Sequence, residues 1–477
     1  MPAGGGFLSC GESVIDTEHA VLDRGAVADA PEPRAPRLAE GIELIGEYQG
    51  SGFQEPKYIL LRADGQVIQL PQLLYLLASH LDGSRDAAQL AARLSDELGR
   101  DLLAEQVSYL LENRLRPAGI LAADPGAGDA GPPATLRPDP LLALKFRVGV
   151  VPEQVSWVIA GIFQSMFFPP VVLAMLGAFV VLDVMLFLQG GFGQLGSSAL
   201  ALVHHPELTL LVLATLVITL MFHECGHVAA CRYGGARPGT MGFGLYLVWP
   251  AMFSTVTDSY RLNRRGRLRT DLGGVYFNVV AIAAMTLVYL GTGIPWLLVA
   301  ILLMHVETMR QFFPFVRLDG YYVLSDIIGV PDLFSRMWPV LRSMFRRRES
   351  HPRVQELKPW VRRVVTLWVI LVVPAIVYFL LPFIILAPQV LPVVGEALGQ
   401  RGPAAVDAAL AGDVAAATLG VIQMFLLVLP WAGATLIFWL MGCQLVRAVR
   451  PHWLHHQRRY IARRRYVGRH RRPVAAR

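Results

Sequence analysis

Charge is what this sequence has least of. Only 17% of its 477 residues are Asp, Glu, Lys or Arg, against roughly 25% in soluble domains, while 54% are apolar. With a mean hydropathy of +0.46, that balance excludes an ordinary soluble enzyme and fits a chain that crosses a membrane several times. Cysteine is scarce too. Cys10, Cys225, Cys231 and Cys443 form no Cys-x-x-Cys pair, and three of them lie in or beside apolar segments, so no disulfide framework is expected. The stretch from Met1 to Pro36 lacks the apolar run of a signal peptide. No internal repeat is visible, which speaks against a secondary transporter.

What charge there is lies unevenly. The formal net charge is +7, yet Arg447 to Arg477 alone holds eleven Arg and no acid. A basic tail could bind nucleic acid; beside a hydrophobic span it more often faces the cytoplasm and its anionic lipid. Residues 1–40 have Gly and Pro clusters and no periodicity, and read as disordered. Residues 41–123 read as a small cytoplasmic domain. Lys57 to Arg62 and Val67 to Leu70 are strand-like around an Ala63-Asp64-Gly65 turn, and helical periodicity follows in Gln72–Leu81, Asp86–Leu98 and Leu102–Leu111, with a short strand possible at Gly119–Ala122. This order of elements resembles a winged helix, and in particular the PqqD-type peptide-recognition domain. A DNA-binding winged helix is the rival, but seven basic against eleven acidic residues make the segment net negative, unsuited to a phosphate backbone. A structural cap is the plainer alternative. Residues 124–150 read as a linker rich in Ala, Gly and Pro, 151–445 as the membrane domain, and 446–477 as a basic cytoplasmic tail.

Six segments approach the roughly 20 residues that cross a bilayer: Phe168–Leu188, Leu208–Ala230, Leu272–Leu290, Pro295–Phe313, Val365–Leu386 and Leu419–Gly442. The connections alternate in charge. Gln189–Glu207 and Gly291–Ile294 have no Lys or Arg, whereas the opposite set carries Arg261, Arg264, Arg265, Arg267 and Arg269, then Arg342 and Arg346 to Arg348, then the tail. The positive-inside rule puts that set and both termini in the cytoplasm. The expected fold is therefore an all-α polytopic membrane protein of about six spans with a small α+β, winged-helix-like amino-terminal domain.

The second span ends in His223-Glu224-Cys225-Gly226-His227, an HExxH motif. Residues four apart share a helix face, so His223 and His227 can offer two imidazoles to one metal. Glu224 lies beside that face, where it can take a proton from a water the metal activates. The plain reading is a polar helix end near the interface, but two His and a Glu within a span are costly unless paired or functional. A catalytic zinc wants a third protein ligand. Asp319, in Pro314-Phe315-Val316-Arg317-Leu318-Asp319-Gly320 after the fourth span, arrives at the same depth; otherwise it caps a helix or turn. Asp183, His305, Glu307 and Arg310 are further polar residues within spans, read as pairing with one another in preference to gating.

HExxH in one span with a distant Leu-Asp-Gly in another resembles the site-2 protease family of intramembrane zinc metalloproteases. The run from Arg317 to Asp326 resembles a bacterial branch of peptide zinc metalloproteases. The resemblance covers roughly Leu208 to Gly329 and implies zinc held by His223, His227 and Asp319, with Glu224 as the catalytic base. It also implies a GxxxN motif, here Gly274 to Asn278, whose Asn positions substrate; close helix packing at Gly274 is the alternative. Gly242-Phe243-Gly244 resembles the membrane-associated hairpin after HExxH, whose strand edge could hold an unfolded substrate by β-addition. Gln311 stands where the family has Asn, which questions substrate handling there. The implied partners are membrane lipid and a polypeptide substrate, membrane-anchored or a leader-bearing ribosomal peptide, and not nucleic acid. A metal-binding protein without proteolysis, such as an immunity or export component, and a metal transporter are the rivals.

Overall fold

Three short strands open the described chain. The computed structural model describes residues 35–122, 144–246, 248–345 and 351–469. Strands β1 (Glu43–Glu47), β2 (Lys57–Leu61) and β3 (Val67–Pro71) form an antiparallel meander with β2 in the centre. The β2–β3 turn closes because the Asp64 carboxylate accepts from the Gln66 amide at 3.1 Å and from Arg62 Nε at 3.0 Å, while Gly65 takes the left-handed conformation at φ 81°. Helices α1 (Gln72–Ser79), α2 (Ala87–Leu98) and α3 (Ala104–Leu110) follow where periodicity predicts them. Asp86 and Gln89 make a reciprocal capping box at the start of α2, and Gly99 ends it in the left-handed conformation. Leu60, Ile68, Leu77, Leu90, Leu94 and Ile120 fill the core between sheet and helices. The predicted return strand is a single bridge, Leu38 to Leu121, so part of residues 1–40, expected to be disordered, is tied to this domain. Residues 1–34 and 123–143 lie outside the described residues, and the rest of the expected 124–150 linker falls in a strand, Leu144–Val151.

The rest is helical. Strand β4 (Leu144–Val151) and helix α4 (Glu153–Phe163) precede α5 (Pro169–Leu188), α6 (Gly191–His204) and α7 (Pro206–Tyr233). A hairpin of β5 (Met241–Tyr246) and β6 (Trp249–Ser254) leads to α8 (Arg264–Asp271), α9 (Gly273–Thr292) and α10 (Pro295–Gln311). Then come α11 (Asp319–Ile328), α12 (Phe334–Phe345), the single turn α13 (Pro352–Gln355), and the long α14 (Pro359–Leu410) and α15 (Val414–Arg469). Among the described residues, α5, α7, α9, α14 and the Val414–Cys443 part of α15 are long and apolar enough to cross a membrane. Their outward side chains are correspondingly apolar: Leu173, Val180, Ile218, Leu287 and Phe379 are all exposed. This is an all-α polytopic membrane protein with a small sheet-bearing amino-terminal domain. The fourth predicted segment does form a helix, α10, but with 17 residues it reaches only about 26 Å at 1.5 Å per residue. The sequence ahead of Pro314 stops it at Gln311, short of the predicted Phe313. The tail is no separate element up to Arg469, since α15 runs through it.

Inside the membrane domain the polar residues pair. Asp183 on α5 meets His305 Nε2 on α10 at 3.0 Å, and Arg310 Nε donates to Glu307 at 2.8 Å. Both matches follow the pairing reading of those side chains.

The amino-terminal domain does not hang from a tether. The chain between β1 and β2 is seated in the helical domain. Gly52 N–H donates to Gly329 O at 2.9 Å, Lys358 N–H donates to Gly52 O at 2.9 Å, and Phe53 is buried with Tyr321, Ile328, Val330 and Val361. Arg267 on α8 is the hub. It is 1% exposed, lies 4.4 Å from the Tyr48 ring centre, and donates to Gln49 O, to Leu262 O and to the Asp326 carboxylate at 3.0, 3.0 and 3.2 Å. Tyr48 hydroxyl reaches the other Asp326 oxygen at 3.1 Å. Burial raises the Asp326 carboxyl above its ordinary range despite the neighbouring Arg267 and Tyr48. Truncating Arg267 strands these acceptors and leaves Asp326 without its cation. We expect Arg267→Ala to cost about 3 kcal/mol, seen as a lower melting temperature and new tryptic cleavage within residues 48–58.

Candidate metal centre

Helix α7 carries HExxH within its last three turns, and its crossing with α9 decides what faces the motif. A Cβ on Gly226 would fall 2.2 Å from Gly273 O, and one on Gly273 would fall 2.5 Å from Gly226 O. The two helices thus touch backbone to backbone, an approach that only glycines permit. Phe222 and Phe277, with ring centres 4.5 Å apart, pack beside this crossing. The next residue along α9 is Gly274, and it lies directly beneath the imidazoles. A Cβ there would sit 2.4 Å from His223 Nε2 and 2.5 Å from His227 Nε2. Sequence reading assigned Gly274 to substrate binding or helix packing; its position makes it the floor of the histidine pair. Asn278, one turn on, shares the same helix face and is 2% exposed.

His223, His227 and Asp319 come together. The two Nε2 atoms are 3.1 Å apart, His223 Nε2 is 3.2 Å from Asp319 Oδ2, and His227 Nε2 is 3.5 Å from Asp319 Oδ1. Four ligands arranged tetrahedrally at about 2.0–2.1 Å from zinc are separated by roughly 3.3 Å, so the three donor atoms have the spacing of a zinc site. Asp319 Oδ2 is buried and takes no hydrogen bond, as a ligand oxygen should. His227 Nδ1–H donates to Thr270 O at 2.8 Å. That bond fixes the tautomer and turns the Nε2 lone pair toward Asp319 and His223. Thr270 reached the site through its backbone, which no residue pattern advertises. Burial raises the Asp319 carboxyl, but the imidazoles of His227 and His223 outweigh it and hold the group below the usual carboxylate range. Asp271 ends α8 next to this shell; burial, then the Asp326 carboxylate, push its carboxyl well above the usual range.

Glu224 is 8% exposed and adjoins the same face of α7. Gln311, also buried, donates its amide to Glu307 Oε1 at 3.0 Å, a bond within α10. That side chain is spent on its own helix.

The expected hairpin forms, β5 pairing with β6, but its strand edge does not lie at Gly242 and Gly244. β5 is the middle strand of a three-stranded sheet, paired with β4 on one side and β6 on the other. Gly242 is opposite Gly149 and Phe253, and Gly244 is opposite Ala251. A Cβ on Gly242 would fall 2.0 Å from Val148 O. Gly242 therefore lets β4 approach, and neither Gly242 nor Gly244, on the middle strand, offers a free edge. The free edges belong to β4 and β6. The sequence hid this because β4 joins from before the first span, almost a hundred residues earlier.

No family model matches the chain, and no solved structure matches it. Over 141 residues, 28% of this chain, it is 24% identical to a protein of Bacillus subtilis (strain 168) named "Putative peptide zinc metalloprotease protein YydH". The chain covers 56% of that relative's length.

Proposed function

We propose that this chain is an intramembrane zinc metalloprotease, similar to the site-2 proteases, that cuts membrane-anchored or membrane-associated polypeptides. The observation that carries the reading is the convergence of His223, His227 and Asp319 within one metal-sized cluster. Two imidazoles and a carboxylate suit zinc, and zinc bound there would supply Lewis acidity to a water and to a carbonyl. Glu224 is the acid–base: it takes the proton of the attacking water and passes it to the leaving amine. Thr270 O keeps His227 in the ligating tautomer. Asn278 presents its amide on the face of α9 that carries Gly274, where it can orient the scissile carbonyl. A helical peptide bond is shielded by its own turn, so the substrate must be extended at the site. The open edges of β4 and β6 can hold such a segment by backbone pairing. The basic connections support a multi-pass cell-membrane protein with both termini in the cytoplasm. The amino-terminal domain, on its PqqD-like order of elements, would take the leader of a ribosomally made precursor.

Removing the carboxylate tests the centre without touching the histidines. Asp319→Asn should weaken zinc affinity at least about a hundredfold, beyond what loss of an outer-shell partner costs. Competitive titration against a zinc chelator reads this directly. Unchanged affinity would remove Asp319 from the ligand set.

A further inference from the structure

A second concavity lies on the opposite side of α9 from the histidines. It encloses about 650 Å3 between α5 and α9, within the roughly 300–1,000 Å3 of small-ligand sites. Leu173 and Leu176 of α5 and Val275 and Val279 of α9 line it, and the chain just before α9 closes one end. The wall is apolar apart from that end, where Tyr233 and Arg269 stand. Tyr276, also in the wall, has its hydroxyl engaged with Met166 O at 2.9 Å. Among the described residues Arg269 is the only charged one in the lining, and its situation is unusual. Its guanidinium stacks on the Tyr233 ring at 4.6 Å, its Nε is buried without an acceptor, and among the described residues no carboxylate or carbonyl pairs with it. Arg147, Arg264, Arg317 and Arg362 also bury an Nε without an acceptor, but the last three each place another nitrogen on one, and Arg147 has a further partner. Burial lowers the Arg269 pKa from its ordinary value, as expected of a cation with no anion beside it. A guanidinium in such a place calls for an anionic ligand.

The position says which anion. Arg269 is four residues before the start of the α9 span, at the depth where headgroups meet hydrocarbon, and the pocket continues from it along the apolar length of α5 and α9. Leu173 and Leu176 are 71% and 40% exposed, so the apolar part of the wall faces what surrounds the helices, and a water-soluble anion would have to cross lipid to fill it. An acyl chain is already there. We infer that the α5–α9 pocket binds one anionic phospholipid, its phosphate on Arg269 and one acyl chain between Leu173, Leu176, Val275 and Val279. Phosphatidylglycerol is the simplest such lipid. Because α9 forms both this pocket and, through Gly274, the floor of the histidine pair, a bound lipid would also brace the helix against α5.

The full chain, placed in nanodiscs of equal phosphatidylglycerol and phosphatidylcholine with identical acyl chains, is then released and its retained lipids counted by native mass spectrometry. We expect one retained lipid, enriched for phosphatidylglycerol by about fivefold. Arg269→Gln should abolish the enrichment, Arg269→Lys should keep most of it, and Leu173→Trp, which fills the pocket with the cation intact, should lose the retained lipid. Melting temperature in lipid-free detergent checks that each variant folds; if Arg269→Gln fails that check, the Lys and Trp variants decide. Retention of the two lipids in proportion to their supply, or enrichment unchanged in Leu173→Trp, would overturn the inference. Neither result bears on the metal centre, whose test is zinc affinity.

Discussion

Replacing Glu224 by Gln is expected to leave zinc bound at the wild-type stoichiometry while cleavage falls by roughly a hundredfold to ten-thousandfold, the usual contribution of a general acid–base group. The separation of the two readouts follows from geometry. The three atoms with metal-ligand spacing come from His223, His227 and Asp319, so the Glu224 carboxylate is not needed to hold the ion. Gln keeps the shape and size of the side chain at a position that is 8% exposed, so packing on α7 is preserved. It removes only the ability to accept and return a proton. Zinc content by elemental analysis and cleavage of a peptide panel in proteoliposomes, followed by mass spectrometry, check the two halves together. Loss of zinc along with activity would make Glu224 part of the metal shell. Zinc without cleavage in the wild type, across precursor peptides and membrane-anchored substrates alike, would favour the non-proteolytic rival.

The centre was legible because its chemistry is written in spacing. Residues four apart share a helix face, so HExxH alone predicts two imidazoles on one side of α7, and the distances of the pair agree. Asp319 was legible for a different reason: a proline-broken helix end returning to the same depth is a local pattern, and α11 does begin at Asp319. The amino-terminal helices were readable from periodicity, with the Asp86 cap and Gly99 stop where a short helix needs them. What stayed hidden shares a cause. Thr270 acts through its carbonyl, which every residue possesses. β4 finds β5 across four intervening helices, α4 to α7, and nothing in either strand names the partner. Helix α6 was read as a connection, because Gly191, Gly193 and Gly196 dilute the apolar period that marks a helix. The burial of the Tyr48–Phe53 segment against α8 and α11 depends on Arg267, an arginine that the charge pattern assigned to a solvated cytoplasmic connection. It is instead 1% exposed. Charge along a chain reports burial poorly.

That segment ties two elements that matter to the metal. Helix α8 ends in Thr270 and Asp271, and α11 begins with Asp319 and carries Asp326. Arg267 binds Asp326 and the loop from the amino-terminal domain at once. A second tie, Arg261 Nη1 to Glu43 Oε1 at 2.6 Å, joins β1 to the turn before α8. Arg261 holds the Glu43 carboxyl below its ordinary range. The domain thus braces the two helices whose spacing sets the distance from His227 to Asp319, which assigns it a mechanical part whatever it recognises.

The same geometry makes one methyl group the sharpest probe of the site. In Gly274→Ala the new Cβ would stand 2.4 Å from His223 Nε2 and 2.5 Å from His227 Nε2. A carbon and a nitrogen in contact need roughly 3.5 Å, so at least one ring must leave its place by about an ångström. His227 is held by its bond to Thr270 O, and if α9 backs away from α7 the close packing of Gly226 on Gly273 is lost. The displaced Nε2 is the ligand atom itself, and metal–ligand distances tolerate only about 0.2 Å. We expect Gly274→Ala to lose stoichiometric zinc, and cleavage with it, while helical content by circular dichroism is unchanged. Gly291→Ala is the matched control: it lies on the same helix with nothing within 4 Å of the added methyl, so it should bind zinc as the wild type does and be neutral or slightly more stable. Wild-type zinc affinity in Gly274→Ala would mean that α9 moves aside readily, and the backbone contact at Gly226 would then not be what holds the site closed.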